Sequence, residues 1–505
     1  MAVELSFFEG GGVDSIGGNK FLLQAGDIAL FLDFGQSFSL EKKFFDEFLG
    51  PRPFNGLGDL FALNLLPPIK GIYRNDLDIP NKEWWNKLSS RFNFREIHID
   101  GVLLTHAHLD HSGYISFLDP SIPIFSSLST AVLTKAIQDT GRSNFQAETC
   151  YIHPRECDQE NILRTNRFSS LHQRQFQVFG DRKISTKIAD FWTWSPTNRK
   201  LSCNPINISD SNETKIGQIS IKYFPVDHSI PGASAFAISS SDGWIIYTGD
   251  FRLHGRKKLQ SEYFIQETAH LKPFLLICEG TRANLEHESS KKHFTEEDVA
   301  LTIESIISKA KGLVIADFGP RNIERLLSFL EACSTNKRKL AITLRDAYLL
   351  ESLYLIDEPL VPNPLDDDRI VIYVEAKASP ATWEKSLKEK YGDKCITAAD
   401  VHKHQNYYIL CFSYYELNEL IDIEPDRGGT YIYSSTEAFN EEMAIDAEKL
   451  IHWIEHFGFE LFGSPLGNKG KDEPILHVGG HIVPEDLIEC IETINPRYLI
   501  PVHTE

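Results

Sequence analysis

Short apolar runs that end abruptly on a histidine or an acid recur along this chain. Val102-Leu103-Leu104 reads as a buried strand, and His106, His108, Asp110 and His111 follow it at once. Ile28-Ala-Leu-Phe-Leu32 stops at Asp33. Ile219-Ser-Ile-Lys-Tyr-Phe-Pro-Val226 leads into Asp227-His228, and Gly243-Trp-Ile-Ile-Tyr-Thr248 leads into Gly249-Asp250. Phe274-Leu-Leu-Ile-Cys278 leads into Glu279-Gly280-Thr281, and Tyr498-Leu-Ile-Pro-Val502 into His503. Each pattern predicts a strand that delivers polar side chains at its end.

The pattern changes between Asn284 and Lys471. Thr295-Glu-Glu-Asp298 has the form of a capping box, after which Val299, Ile303, Ile306 and Ile307 recur at helical spacing. Gly312-Leu-Val-Ile-Ala316 predicts a strand. A helix with Ile323, Leu326, Leu327 and Leu330 follows, then a strand at Leu340–Leu344. Thr430–Tyr433 predicts a further strand, and Met443, Ala447, Leu450, Ile451 and Ile454 a helix stopped by Gly458. Alternating strands and helices imply a parallel sheet.

Composition narrows the class. A chain of 505 residues calls for two or three domains. Apolar residues are 42% and charged residues 24%, the balance of a soluble globular protein. No apolar run approaches the ~20 residues of a membrane span, and Met1-Ala-Val-Glu-Leu5 does not open like a secretory leader. No membrane partner is expected. The formal charge of −20 argues against a surface that coats nucleic acid, though not against one basic groove. The eight cysteines form no C-x-x-C pair, which predicts free thiols and a cytoplasmic, reducing setting.

The chemistry concentrates in His106-x-His108-x-Asp110-His111. That much polarity after a buried strand is costly to bury unless it is paired. Alternate side chains of an extended segment share a face, so His106 and His108 point together. A turn at Leu109 would direct Asp110 and His111 to a second centre. Imidazole and carboxylate suit zinc, manganese or iron. Two ions about 4 Å apart can share a hydroxide and clamp a phosphodiester.

His106-x-His108-x-Asp110-His111, then His228 and Asp250, resembles the metallo-β-lactamase hydrolase superfamily. The resemblance implies an α/β fold: an αββα sandwich of two mixed sheets with metals at one edge. By position it implies one ion on His106, His108 and His228, a second on Asp110, His111 and His503, and Asp250 bridging them. Asp33 resembles the superfamily's early strand-end aspartate, which supports the site from behind the ligands. The implied cofactors are two divalent metal ions, zinc first and manganese as the alternative.

Glu279, the glycine-flanked His477-Val-Gly-Gly-His481 and the late His503 resemble three extra motifs of the β-CASP branch. The ending Pro-x-Tyr-x-Ile-Pro-Val-His503 is similar to ribonuclease J-like nucleases. An inserted α/β domain would then span 285–470, dividing the metallo-β-lactamase domain into 1–284 and 471–505. Asp110, His481, His477 and Glu279 are expected to serve catalysis, with Glu279 orienting a histidine that protonates a leaving oxygen or binds phosphate. Phe318-Gly-Pro-Arg321-Asn322-Ile-Glu-Arg325 opens a helix, where Arg321 and Asn322 could cradle a phosphate. The competing reading has Arg321 and Arg325 cover the helix surface.

Three features depart from ribonuclease J. Tyr408–Tyr415 stands where a glycine-glutamine-rich loop is expected, which weighs against 5′-dependent exonuclease action. The chain stops two residues after His503. Residues 36–95 are rich in aromatic residues, as core packing or as base-stacking groups. The expected function is a ribonuclease J-like nuclease that cuts RNA or single-stranded DNA with a metal-bridging hydroxide, with a homodimer left open. The alternative is a small-molecule hydrolase of the same fold for a thioester, lactone or cyclic nucleotide. A non-catalytic scaffold would need broken metal motifs, and every ligand position here is filled.

Overall fold

The computed structural model describes residues 3–46, 48–79, 83–141, 144–166, 169–180, 184–196, 201–202, 205–209, 211–283, 293–436, 441–467 and 474–504. The chain divides into two compact units. One comprises Met1–Leu253, Lys257–Ser290 and His481–Glu505; the other comprises His254–Arg256 and Lys291–Gly480. The expected junctions at 284/285 and 470/471 fall outside the described residues.

The first unit is built on two mixed sheets. A seven-stranded sheet runs Val3–Phe7, Phe21–Ala25, Ile28–Leu32, Gly101–Leu103, Ile124–Ser127, Phe176–Phe179, Asn207–Ser209. A six-stranded sheet runs Glu213–Ile216, Ile219–Pro225, Ser234–Ser240, Gly243–Tyr247, Leu275–Glu279, Tyr498–Val502. The inner faces share one core, in which Leu23, Leu30, Leu32, Leu103 and Phe125 meet Ile221, Phe236, Ile238, Ile245, Ile277 and Val502. Burying such side chains contributes about 1.5–3 kcal/mol each. Outside the six-stranded sheet, Phe264 and Ile265 of helix Lys258–His270 pack with Leu487, Cys490 and Ile494 of helix Pro484–Ile494. On the other sheet, helix Leu128–Thr140 packs on strands Ile124–Ser127 and Phe176–Phe179. The layers are therefore αββα, as the resemblance implies.

Strand direction collects the polar ends on one edge. Ile28–Leu32 is parallel to Gly101–Leu103, with Leu30 opposite Gly101. Gly243–Tyr247, Leu275–Glu279 and Tyr498–Val502 are mutually parallel, with Tyr247 opposite Ile277 and Glu279 opposite Val502.

The second unit is a seven-stranded sheet in the order Cys395–Ile396, Ile370–Tyr373, Lys339–Thr343, Tyr408–Leu410, Val314–Asp317, Thr430–Tyr433, Glu460–Phe462. Every pairing in it is parallel. Helix Glu296–Ile307 begins with the anticipated capping box of Thr295 and Asp298.

In the aromatic stretch 36–95, Phe61 and Tyr73 are buried, whereas Phe38, Phe48 and Phe92 are exposed. Phe61 sits edge-on to Tyr73 at 5.3 Å and to Trp85 at 5.2 Å. Phe44 and Phe54 are exposed. Tyr408–Leu410 is a buried strand. Seven cysteines are free thiols, and Cys203 lies outside the described residues. Among the described residues no helix is long and apolar enough to cross a membrane.

Candidate metal centre

Three ring nitrogens converge on the exit of strand Gly101–Leu103. His106 Nε2 and His228 Nε2 lie 3.0 and 3.2 Å from His108 Nδ1. That spacing approaches the edge of a tetrahedron of nitrogens about 2.0–2.1 Å from a zinc ion. Burial and the neighbouring imidazoles of His111, His228 and His108 hold His106 well below the ordinary histidine range. A neutral imidazole is the form that binds a metal.

The chain then turns through the one-turn helix Leu109–Ser112 and directs Asp110 and His111 elsewhere. Asp110 Oδ2 lies 3.2 Å from His503 Nε2 and 3.7 Å from His111 Nε2. Asp250 Oδ2 lies 3.1 Å from His111 Nε2 and 3.7 Å from His503 Nε2. The same oxygen is 3.7 Å from His106 Nε2 and 3.9 Å from His228 Nε2. Asp250 therefore faces both clusters, and its other oxygen, Oδ1, is buried with no hydrogen-bond partner among the described residues. An orphaned buried carboxylate oxygen is costly without a cation.

The field around these groups favours positive charge. Burial would lower the His111 value, yet the carboxylates of Asp250, Asp110 and Asp33 hold it well above the ordinary range. Burial would raise Asp110 and Asp250, yet His111 and His503 hold both well below the usual carboxylate range. The donor set is nitrogen and oxygen: His106/His108/His228 and Asp110/His111/Asp250/His503, with Asp250, Glu279 and His481 a third such group. It fits two borderline or hard divalent ions.

A second layer fixes these side chains. Asp33 accepts from His111 Nδ1 at 2.7 Å, from Thr105 N at 2.7 Å and from Tyr247 Oη at 2.6 Å. The proton of His111 is thereby kept on Nδ1, leaving Nε2 toward the site. Asp33 and His503 both adopt left-handed φ, +57° and +55°. A Cβ on Gly35 would collide with the Asp110 carbonyl oxygen, so the approach of that strand end to the ligand loop requires glycine there.

Glu279, Thr281 and His481 form an adjoining group. Glu279 accepts from Phe251 N at 2.9 Å and from His481 Nδ1 at 2.9 Å. Thr281 Oγ1 lies 2.9 Å from Glu279 Oε2, 3.2 Å from His481 Nδ1 and 2.8 Å from His503 Nδ1. His481 Nδ1 is 3.9 Å from Asp250 Oδ2. Burial would lower His481, but Glu279 and Asp250 push it up to about 9.

All seven anticipated ligands, with Asp33, Glu279 and His481, thus meet at one edge of the first unit. Arg321, Asn322 and His477 belong to the second unit. Asn322 is committed locally, its side chain capping helix Ile323–Asn336 through Arg325 N at 3.0 Å. Arg325 does not cover a surface: it is fully buried and paired with Glu296 at 3.0 Å. Sequence reasoning missed Thr105, Tyr247 and Thr281. It also missed the loop Gly10–Gly18, where a Cβ on Gly17 would meet Asp110 at 2.8 Å. Five glycines in that short stretch were the available signal.

No family model matches the chain. Ribonuclease J 2 of Streptococcus pyogenes serotype M3 is 23% identical over 447 residues, 85% of this chain and 62% of that protein. Ribonuclease J of Helicobacter pylori strain B128 is 20% identical over 507 residues, 98% of this chain and 55% of that protein. The chain thus spans roughly half to three-fifths of the length of these curated relatives. A protein of unknown function from Enterococcus faecalis V583, known from its crystal structure, shares the fold. Its TM-score is 0.65 at 21% identity, over 99% of this chain and 93% of its own. Motifs, layers and relatives agree: this chain is similar to the ribonuclease J proteins of the β-CASP branch of the metallo-β-lactamase superfamily.

Proposed function

We propose that the chain is a metal-dependent nuclease of ribonuclease J type, cutting phosphodiester bonds of RNA or single-stranded DNA. His106, His108 and His228 hold one divalent ion, Asp110, His111 and His503 the second, and Asp250 lies between them. Zinc suits this donor set best, with manganese the alternative. When bound, such ions activate water and neutralise charge on phosphoryl oxygens.

The observation that carries the reading is the Glu279–His481 pair beside Asp250. Glu279 takes the Nδ1 proton of His481 in a hydrogen bond and so fixes the ring. Nε2 is left to give a proton to the leaving alkoxide. The carboxylates of Glu279 and Asp250 favour the protonated form of His481. Thr281 Oγ1 lies 3.2 Å from Nδ1 of the same ring, so the ring enters the reaction already oriented.

A second reading, a small-molecule hydrolase of the same fold, draws on the formal charge of −20, which repels a polyanion at long range. Incubation with 5′- and 3′-labelled single-stranded RNA and DNA, with and without chelator, separates the two. Chelator-sensitive shortening of labelled polymer supports the nuclease. Intact polymer with metal-loaded protein supports the small-molecule enzyme.

A further inference from the structure

A lysine lies buried behind the ligand loop of the first unit. Lys20 is fully buried, and its ammonium makes no ion pair among the described residues. Its Nζ donates instead to two backbone carbonyls, Gly18 at 2.6 Å and Gly35 at 2.9 Å. It also stands 5.0 Å from the centre of the Tyr114 ring, just beyond the ligand helix Leu109–Ser112.

Both carbonyls belong to segments that hold the ligand loop. Asn19, next to Gly18, donates its backbone N–H to the Asp110 carbonyl at 2.9 Å, and its own carbonyl accepts from Gly35 N at 2.9 Å. Phe34 N and Gln36 N, on either side of Gly35, donate to the carbonyls of His111 and Leu109, each at 2.9 Å. Gly17 approaches so closely that a Cβ there would come within 2.8 Å of the Asp110 carboxylate.

Packing alone does not explain a lysine here. Burial disfavours its charge, with only the more distant Glu41 opposing. An apolar side chain of that length would fill the space without this cost. What the ammonium adds is three donors on one atom. Two of them tie a glycine turn to a strand end, where both segments grip Asp110 and His111.

We propose that Lys20 is a positioning residue for the second metal centre: it locks the Gly17–Asn19 turn to Gly35, so that Asp110 and His111 stand in place before an ion arrives. The proposal rests on the two-ion reading above.

The test is a calorimetric titration of metal-stripped protein with zinc, in which the step missing from Asp110→Ala identifies the second centre. Lys20→Met keeps the length of the side chain and removes the donors. It is expected to weaken that step about 10- to 100-fold and to leave the other within about twofold. A merely structural lysine would weaken both steps alike or neither, and either result would overturn the proposal. Wild type supplies the check if Lys20→Met does not fold. In metal-stripped wild type, amide exchange at Asn19, Phe34 and Gln36 is expected to be as slow as in strand Ile28–Leu32. Fast exchange at all three would show a loop that is not held in advance, and would overturn the proposal. A wild type with a single zinc step would overturn the two-ion reading and the proposal with it. Two wild-type steps that Lys20→Met leaves unchanged would overturn the proposal alone.

Discussion

Asp250 shows how much a single side chain does here. One oxygen faces both nitrogen clusters and the other is buried without a hydrogen-bond partner among the described residues. The neighbouring Asp110 differs in that it sits on a one-turn helix with its side chain 23% exposed. Asp110→Ala is therefore expected to abolish turnover while leaving circular dichroism and the Tm of the metal-stripped protein near the wild-type values. Unchanged hydrolysis would remove Asp110 from the second centre. His481→Ala is expected to lower RNA cleavage about 10²- to 10⁴-fold with metal content unchanged. Loss of metal in that variant would make His481 a ligand. The ligands were legible because each stands at the end of an apolar run, where polarity has no structural reason to gather. Thr281 and Tyr247 were not, since a hydroxyl near a strand end is common and acquires meaning only through partners hundreds of positions away.

Among elements, strand Val314–Asp317 ends on a carboxyl inside the second unit. Burial pushes Asp317 up to about 7, against the hydrogen bond from Tyr431 Oη at 2.6 Å. The folded value exceeds the unfolded one, so the folded state keeps a proton that the unfolded chain releases between about pH 4 and 7. The stability of the neutral form is full below that window and is lost as pH rises through it. Asp317→Asn keeps an acceptor for Tyr431 and does not titrate. Its stability relative to wild type is expected to grow from pH 4 to 7 and then level off, at about 1.4 kcal/mol per pH unit at most. Denaturant melts at pH 4.5, 6 and 7.5 measure this, and a constant difference would contradict it. Periodicity foretold three strands of this unit, with its capping box and parallel sheet, but not Ile370–Tyr373, Cys395–Ile396, Tyr408–Leu410 or Glu460–Phe462. It misplaced Arg325, because an arginine in a first helical turn ordinarily faces solvent, and only the distant Glu296, Ser434 and Leu476 bring it inside.

Over the whole molecule, the first unit is assembled from separated chain segments. Strand Tyr498–Val502 pairs beside Leu275–Glu279 and delivers His503 to a site begun nearly four hundred residues earlier. Such long-range closure leaves no local trace beyond the apolar run itself. Reading it from sequence took the resemblance as well as the pattern. The acidic charge of −20 also looks different beside the site, because part of it is gathered where cations would neutralise it. Ions that bind only the folded state stabilise it by mass action. A chelator is thus expected to lower Tm, and restored zinc or manganese to raise it again in wild type but less so in Asp110→Ala.

The central claim is a two-ion site that cleaves a phosphodiester. It is tested most directly by titrating metal-stripped protein with zinc or manganese and reading single-stranded RNA cleavage against equivalents bound. Two tightly bound ions per chain, with cleavage rising to its plateau only as the second binds, is the predicted result. Saturation at one ion, or a fully loaded protein that leaves RNA intact, would contradict it.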